Sequence, residues 1–261
     1  MNFGALIIGD EILSGRREDK HLARTIAALE SRGLALAWAH YIGDEPARIV
    51  AELRAAAASG DAVFSFGGIG ATPDDHTRQC AAQALGVELA LHPEAAALIT
   101  QRGTEMAAEK GVAYDTTTAD HRRRLNMGVF PAGATLIPNP YNRIPGFSVG
   151  RLHFMPGFPV MAHPMLDWVL DTLYADRRDA ATLRAVRVRG TNESALIPVF
   201  ERVEATFPGV RSFSLPSVDH PVLGPHIEIG VKGADSVQVE LAMAALREGA
   251  GATGATEIVP S

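Results

Sequence analysis

Ala62-Val63-Phe64-Ser65-Phe66-Gly67-Gly68-Ile69-Gly70-Ala71-Thr72-Pro73-Asp74-Asp75-His76-Thr77 is the stretch that decides the fold. A short β-prone apolar run breaks into three glycines within four residues. Pro73 and two carboxylates then lead into a helical pattern reaching Leu85, so the stretch reads as strand, tight loop, helix. Glycines here permit positive φ and let backbone N–H groups approach a ligand without an intervening Cβ, and a helix N-terminus behind them favours anions. A phosphate-binding turn is the functional reading. Asp74 and Asp75 qualify it, because a carboxylate beside a phosphate is repulsive unless a cation or proton lies between them. The structural alternative is that Thr72 caps the helix, Pro73 takes its first position, and Asp74 and Asp75 complement the helix dipole. Spacing alone leaves both open.

Upstream, Ala5 to Ile8 is a continuous apolar run, the mark of a parallel strand buried on both faces. It ends in Gly9-Asp10-Glu11-Ile12-Leu13-Ser14-Gly15. A helical pattern follows over 19–32, then a strand over 34–42 that ends in Gly43-Asp44-Glu45-Pro46, and a helix through Leu53 to Ala58. Three strand–helix units in succession imply a doubly wound, mostly parallel α/β sheet, in which ligands bind outside the carboxyl ends of the strands. Asp10, Glu11, Asp44, Asp74 and Asp75 all fall on that rim. Gathering negative charge there costs energy unless a cation or polar ligand offsets it.

Downstream, 86–125 is mostly helical in pattern, and His121-Arg122-Arg123-Arg124 reads either as a solvated helix end or as positive charge that could meet a phosphate at the acidic site. From Asn126 to Phe147, Pro and Gly are dense enough to leave a single short strand around Leu136. Leu152-His153-Phe154-Met155 is a strand turned into a helix by Pro156-Gly157-Phe158-Pro159. A charged linker over 174–182 closes a first domain of residues 1–175. A smaller α+β domain spans 183–250, with strands at 183–189, 210–216 and 224–231 and helices at 193–206 and 235–248. Residues 251–261, rich in Gly, Ala and Thr, read as a flexible tail.

The 261 residues hold 47% apolar and 21% charged residues, an ordinary globular composition, with a net charge of −6 that argues against a dedicated nucleic-acid binder. One cysteine, Cys80, excludes an intrachain disulfide and reads as a buried thiol. The N-terminus lacks a signal-peptide pattern, and no apolar run approaches the ~20 residues of a membrane span, so a cytoplasmic protein without a membrane partner is expected. A homo-oligomer is expected as well.

These motifs resemble the molybdopterin-binding-like domain of the competence/damage-inducible protein A (CinA) family, which is related to MoaB/MogA-like molybdenum-cofactor proteins. The resemblance covers roughly residues 4–173. It rests on Gly9-Asp10-Glu11, on Gly43-Asp44-Glu45, and on the Gly67 to Thr77 segment with its Gly-Gly-x-Gly turn and Asp-x-Thr. Asn139 with Pro145-Gly146-Phe147, and Pro156-Gly157-Phe158-Pro159, match two further segments. Tyr141-Asn142-Arg143-Ile144 departs from the family, which usually has Gly-Thr-Ala there. The second domain resembles the KH-like module that follows in CinA proteins; full-length members add a C-terminal amide-hydrolysing domain, and a form without it is expected here.

The resemblance implies a ligand-holding rim of Gly9, Asp10, Glu11, Gly67, Gly68, Gly70, Thr72, Asp74, Thr77, Asn139, Gly146, Pro156, Gly157 and Pro159. It also implies Asp44 and Asp75 as the functional carboxylates, with Asp75 holding a divalent metal ion such as Mg²⁺, Mn²⁺ or Co²⁺. The ligand is a small-molecule pterin or nucleotide: molybdopterin or an adenine nucleotide. Two activities are implied, metal-dependent hydrolysis of a nucleoside diphosphate linkage of the ADP-ribose or FAD type, and molybdopterin binding without turnover. RNA binding by the second domain is disfavoured, since Glu193, Glu201 and Glu204 make its first helix acidic. Arg184, Arg187 and Arg189 read as a shared basic strand face.

Overall fold

The computed structural model describes residues 1–177, 182–255 and 257–260, which fall into two compact units, Met1–Arg177 and Arg178–Ser261. In the first unit the chain runs β1 (Phe3–Ile8), α1 (Asp10–Leu13), α2 (His21–Glu30), β2 (Leu36–Ile42), α3 (Pro46–Ser59), β3 (Ala62–Phe66), α4 (Thr77–Leu85), β4 (Leu89–Leu91) and α5 (Pro93–Glu109). It continues through α6 (Ala119–Leu125), β5 (Val129–Pro131), β6 (Thr135–Ile137), β7 (Gly146–Val149), β8 (Leu152–Met155) and α7 (Pro159–Leu173). Six strands form one sheet in the order β2-β1-β3-β8-β7-β6. The first four run parallel, and β7 reverses direction against both β8 and β6.

Every residue of β1, β3 and β8 is buried, which is why these strands read as unbroken apolar runs. Period-two alternation divides them between two cores. Phe3, Ala5, Ile7, Phe64 and Phe66 face α2 and α7, where Leu29, Met165 and Val169 meet them. Leu6, Ile8 and Val63 face α3 and α4, with Ile49, Leu53 and Ala81. Helices thus cover both faces, as the doubly wound reading requires. The chain leaves β1 toward β2 on one side and returns to β3 on the other, so the direction of winding reverses between β1 and β3.

The structure corrects several expectations. Residues 72–75 are not the first turn of a helix: α4 begins only at Thr77, with His76 at its N-cap. The stretch 86–131 contributes a separate two-stranded ribbon, β4 with β5, and the Pro/Gly-rich segment holds three short strands rather than one. All of β4 is exposed, so it carries no periodic signal.

The second unit comprises β9 (Thr182–Arg189), α8 (Glu193–Thr206), β10 (Arg211–Ser217), β11 (His226–Gly233), α9 (Ser236–Ala252) and β12 (Glu257–Pro260), with strand order β10-β11-β9-β12. The expected flexible tail over 251–261 is therefore corrected over 257–260, whose backbone pairs with Arg189 to Val186 as an edge strand. The basic face is corrected too. Val186 and Val188 point to the helices, and the pleat puts Arg184 on their side, where its Nε meets Glu240 at 2.6 Å; Arg187 lies on the other side and meets Glu228 at 3.3 Å. Among the described residues, no helix is long and apolar enough to cross a membrane.

Phe147 is stacked between Phe130 and Phe154, with ring centroids 4.6 and 4.5 Å apart. Phe147→Ala removes a fully buried ring from the middle of that stack, with an expected loss of about 3–5 kcal/mol from the first unit in urea titration. His153 lies fully buried between the Ser148 hydroxyl (2.8 Å) and the Tyr174 hydroxyl (2.7 Å), and burial pushes its imidazole down to about 4 from an ordinary 6.5. The unfolded chain therefore binds more protons than the folded one between those values. Stability is expected to fall as pH drops from about 6.5 to about 4, by about 3 kcal/mol for this ring. Both tryptophans, Trp38 and Trp168, lie in the first unit, so their fluorescence reads its urea midpoint against pH; His153→Gln should flatten the slope.

Candidate functional site

A groove of about 370 Å³ opens at the carboxyl ends of β1 and β3, where the winding reverses. Its floor is backbone. Gly67 sits at φ 105°, and a Cβ there would lie 2.2 Å from the Ile8 carbonyl oxygen; Gly68, at φ 68°, would place one 2.2 Å from Thr77 Oγ1. No other residue type fits either position, because both the left-handed backbone and the neighbouring oxygens exclude a side chain. Thr77 staples this turn from outside: its hydroxyl donates to the Gly67 carbonyl at 3.0 Å and its N–H to the Gly68 carbonyl at 3.0 Å.

Asp75 closes the loop. Its Oδ2 accepts the Thr72 backbone N–H at 2.8 Å and the Thr72 hydroxyl at 2.5 Å. This local side-chain turn competes with helix initiation and explains the late start of α4. Arg78 braces the same loop from beneath, donating at 2.6 Å from Nη2 to the Gly70 carbonyl and from Nη1 to the Asn126 carbonyl. Arg78 is buried and desolvation lowers its pKa, with Asp75 the charge that opposes the fall.

Asp10 and Asp44 clasp the other two turns together. The Asp10 N–H donates to Asp44 Oδ2 at 2.9 Å, and the Asp44 N–H to Asp10 Oδ1 at 3.3 Å. Partial burial raises the pKa of the Asp44 carboxyl above the ordinary range. The Asp10 N–H pulls it down, while the charges of Asp10, Glu11 and Asp74 push it up further. That coupling sets carboxylates from all three glycine turns in one field.

The groove wall includes Gly9, Glu11, Asp44, Gly67, Gly68, Gly70, Thr72, Asp74, Asp75, Pro156 and Gly157. Asp10 reaches it only through Asp44. Thr77 supports it without lining it, and Pro159 is the first residue of α7. Asn139 and Gly146 lie outside the wall. Asn139 is buried, donating from Nδ2 to Asn142 Oδ1 at 2.8 Å and to the Ile144 carbonyl at 2.9 Å. It lines a separate apolar hollow with Leu98, Pro164 and Trp168. Gly146 is required by packing, since a Cβ would meet the Phe154 carbonyl oxygen at 2.3 Å. His76 faces a third hollow of about 450 Å³ behind the loop with Arg78 and Asn126. That hollow is the larger, but fewer of the expected residues line it.

Arg122, Arg123 and Arg124 are absent from the groove; Arg123 and Arg124 pair with Asp120, and Arg122 donates to the Thr117 carbonyl. Sequence reading missed Arg17, the cation in the wall, and Phe158. Arg17 lies 3.3 Å from Glu11 and its Cζ is 5.4 Å over the Phe158 ring. No local pattern marks Arg17, whereas Phe158 is announced by its place inside Pro-Gly-x-Pro. Cys80 is buried, its thiol 3.6 Å from the Pro46 carbonyl, and burial pushes its pKa up.

Among the described residues, no group of three or more His, Cys, Asp or Glu side chains could hold a metal ion. The carboxylates at the groove therefore do not form a closed zinc cage.

Residues 4–175 match the family described as a probable molybdopterin binding domain. A protein of Caldivirga maquilingensis is 30% identical over 242 residues, covering 90% of this chain and 89% of its own. A CinA-like protein of Geobacter metallireducens is 33% identical over 182 residues, covering 68% of this chain; the chain spans 42% of that relative. The crystal structure of the protein CinA, of unknown function, from Thermoplasma acidophilum superposes with a TM-score of 0.54 at 26% identity, over 65% of this chain and 96% of that one. A reversed α/β sheet with a glycine-floored groove and this extent of similarity place the chain in the family of probable molybdopterin binding domains, among relatives that are CinA-like.

Proposed function

We infer that the groove binds a phosphorylated heteroaromatic ligand and hydrolyses a nucleoside diphosphate linkage of the ADP-ribose or FAD type with a divalent cation. The observation that carries this reading is Asp44, held in the groove wall by one backbone N–H and crowded by Asp10, Glu11 and Asp74. A carboxylate with its pKa raised is a better proton acceptor than an ordinary one.

The backbone of Gly67 to Gly70 would receive one phosphate group. Asp75 would hold the cation, whose charge offsets that of the pyrophosphate. Asp44 then takes a proton from water as the water oxygen bonds to phosphorus and the bridging P–O bond breaks, leaving two monophosphates. Glycine at the floor lets the ligand lie against backbone, and Asp75, fixed by Thr72, keeps one oxygen directed by the loop itself.

Asp44→Asn is expected to lower turnover of ADP-ribose by about 10²–10⁴-fold while AMP binding persists, measured by chromatography of the products and by calorimetry. Asp75→Asn keeps an oxygen able to accept both Thr72 hydrogen bonds but loses the charge, so turnover should fall with the loop intact. If the purified protein with Mg²⁺, Mn²⁺ or Co²⁺ leaves both ADP-ribose and FAD unchanged, the hydrolytic reading is wrong for these substrates.

The raised pKa of Asp44 also sets a pH dependence. Activity needs the ionised base, so the acid limb of kcat/KM should lie above the ordinary aspartate value of 3.8. Glu11→Gln removes one of the charges that raise it and should move the limb to lower pH.

Ligand binding without turnover is the second reading, supported by membership of a family described by molybdopterin binding. Saturable binding of a pterin or AMP with no product would favour it.

A further inference from the structure

Phe158 puts an aromatic ring in the wall of the groove. Its side chain is 53% exposed and it occupies the N-cap position of α7, where it makes no side-chain cap bond, so neither packing nor capping accounts for it. Its neighbours in the wall are Pro156 and Gly157 on one side, and across its face the guanidinium of Arg17. Arg17 reaches that position while paired with Glu11 at 3.3 Å.

We propose that Phe158 is the stacking platform for the ligand's flat ring, and that Arg17 covers the platform until the ligand's phosphate draws it off. This deepens the reading above and rests on it.

The distance decides how the two groups work. With Cζ 5.4 Å from the ring centroid, Arg17 sits within the range of a cation–π contact. A planar base needs roughly 3.5 Å on each side, about 7 Å in all, so it cannot slide between Arg17 and Phe158 as they stand. The ring of the ligand must take the place of the guanidinium. Arg17 is half-exposed on a long side chain and is held by one surface ion pair and one exposed cation–π contact, each weak enough to be exchanged. A phosphate on the Gly67 to Gly70 floor offers the guanidinium a charged partner in the same groove, and bidentate pairing to phosphate suits it. Release of Arg17 frees Glu11, whose charge then remains beside Asp44. The platform therefore selects ligands that carry both a phosphate and a flat ring, since the phosphate uncovers what the ring requires.

The test is calorimetry on the full chain with two probes, AMP, which has the ring, and ribose 5-phosphate, which lacks it. Phe158→Ala is expected to weaken AMP by about tenfold and to leave ribose 5-phosphate unchanged, with circular dichroism unaltered because the side chain is half-exposed. Phe158→Trp should retain AMP, and Arg17→Gln should weaken both probes. If wild type binds AMP and Phe158→Ala binds it equally well, or if Phe158→Ala weakens both probes alike, the stacking role is overturned while the groove remains a ligand site. If wild type binds neither probe, the underlying ligand reading falls with it.

Discussion

The approach of Gly67 to the Ile8 carbonyl is the constraint on which the site depends. Two parallel strands end side by side at the point where the sheet reverses its winding, and the turn leaving β3 must pass over the end of β1. With 2.2 Å between the Ile8 oxygen and any Cβ, a side chain at Gly67 would force β1 and β3 apart. Glycine there costs about 0.5–1 kcal/mol of conformational entropy relative to alanine. That cost is offset by braces outside the turn, the Thr77 staple, the Asp75 turn and the buried Arg78 clamp. The floor is therefore rigid without any side chain of its own, and its first N–H, that of Gly67, is itself tied down, donating to the Met155 carbonyl at 3.0 Å.

That rigidity is combined with an unfavourable charge arrangement. Asp10, Glu11 and Asp74 all act on Asp44, while Arg17 is engaged with Glu11. A bare phosphate on the floor would meet this field as an anion among anions. The same field is an asset once a hard cation accompanies the phosphate, since few protein ligands are needed when phosphate oxygens and water complete its shell. The acidic rim and the glycine floor thus suit the cation-assisted reading proposed above, in which positive charge arrives with the ligand.

The fold was largely legible because its central strands are buried on both faces and so stand out as uninterrupted apolar runs, with glycine and acid turns marking their ends. What escaped was whatever depends on partners far along the chain. The exposed three-residue β4 finds β5 some forty positions later, and β12 completes a sheet after a composition that reads as a fraying tail. The site showed the same division. Glu11, Asp44, Asp74 and Asp75 were found through local turn chemistry and do line the groove, whereas Asn139 and Gly146 share the motif grammar but are held by packing and by their own loop. Thr72-Pro73-Asp74-Asp75 was the ambiguous case, for a helix cap and an Asp-closed turn use the same residue types. The Asp75 carboxylate, by taking the Thr72 N–H, decides for the turn.

Asp44 is where a structural role and a chemical role can be told apart. A carboxylate that serves only to clasp two turns gains from every influence that favours its charged form, and the Asp10 N–H is such an influence. Burial and three neighbouring carboxylates act in the opposite sense and prevail, so the clasp is built in a place that weakens it. A fold under no demand but stability would relieve this by placing neutral side chains at Glu11 or Asp74, neither of which has a buried position to defend. Crowding of this kind suits a group that takes up a proton, the role proposed for Asp44.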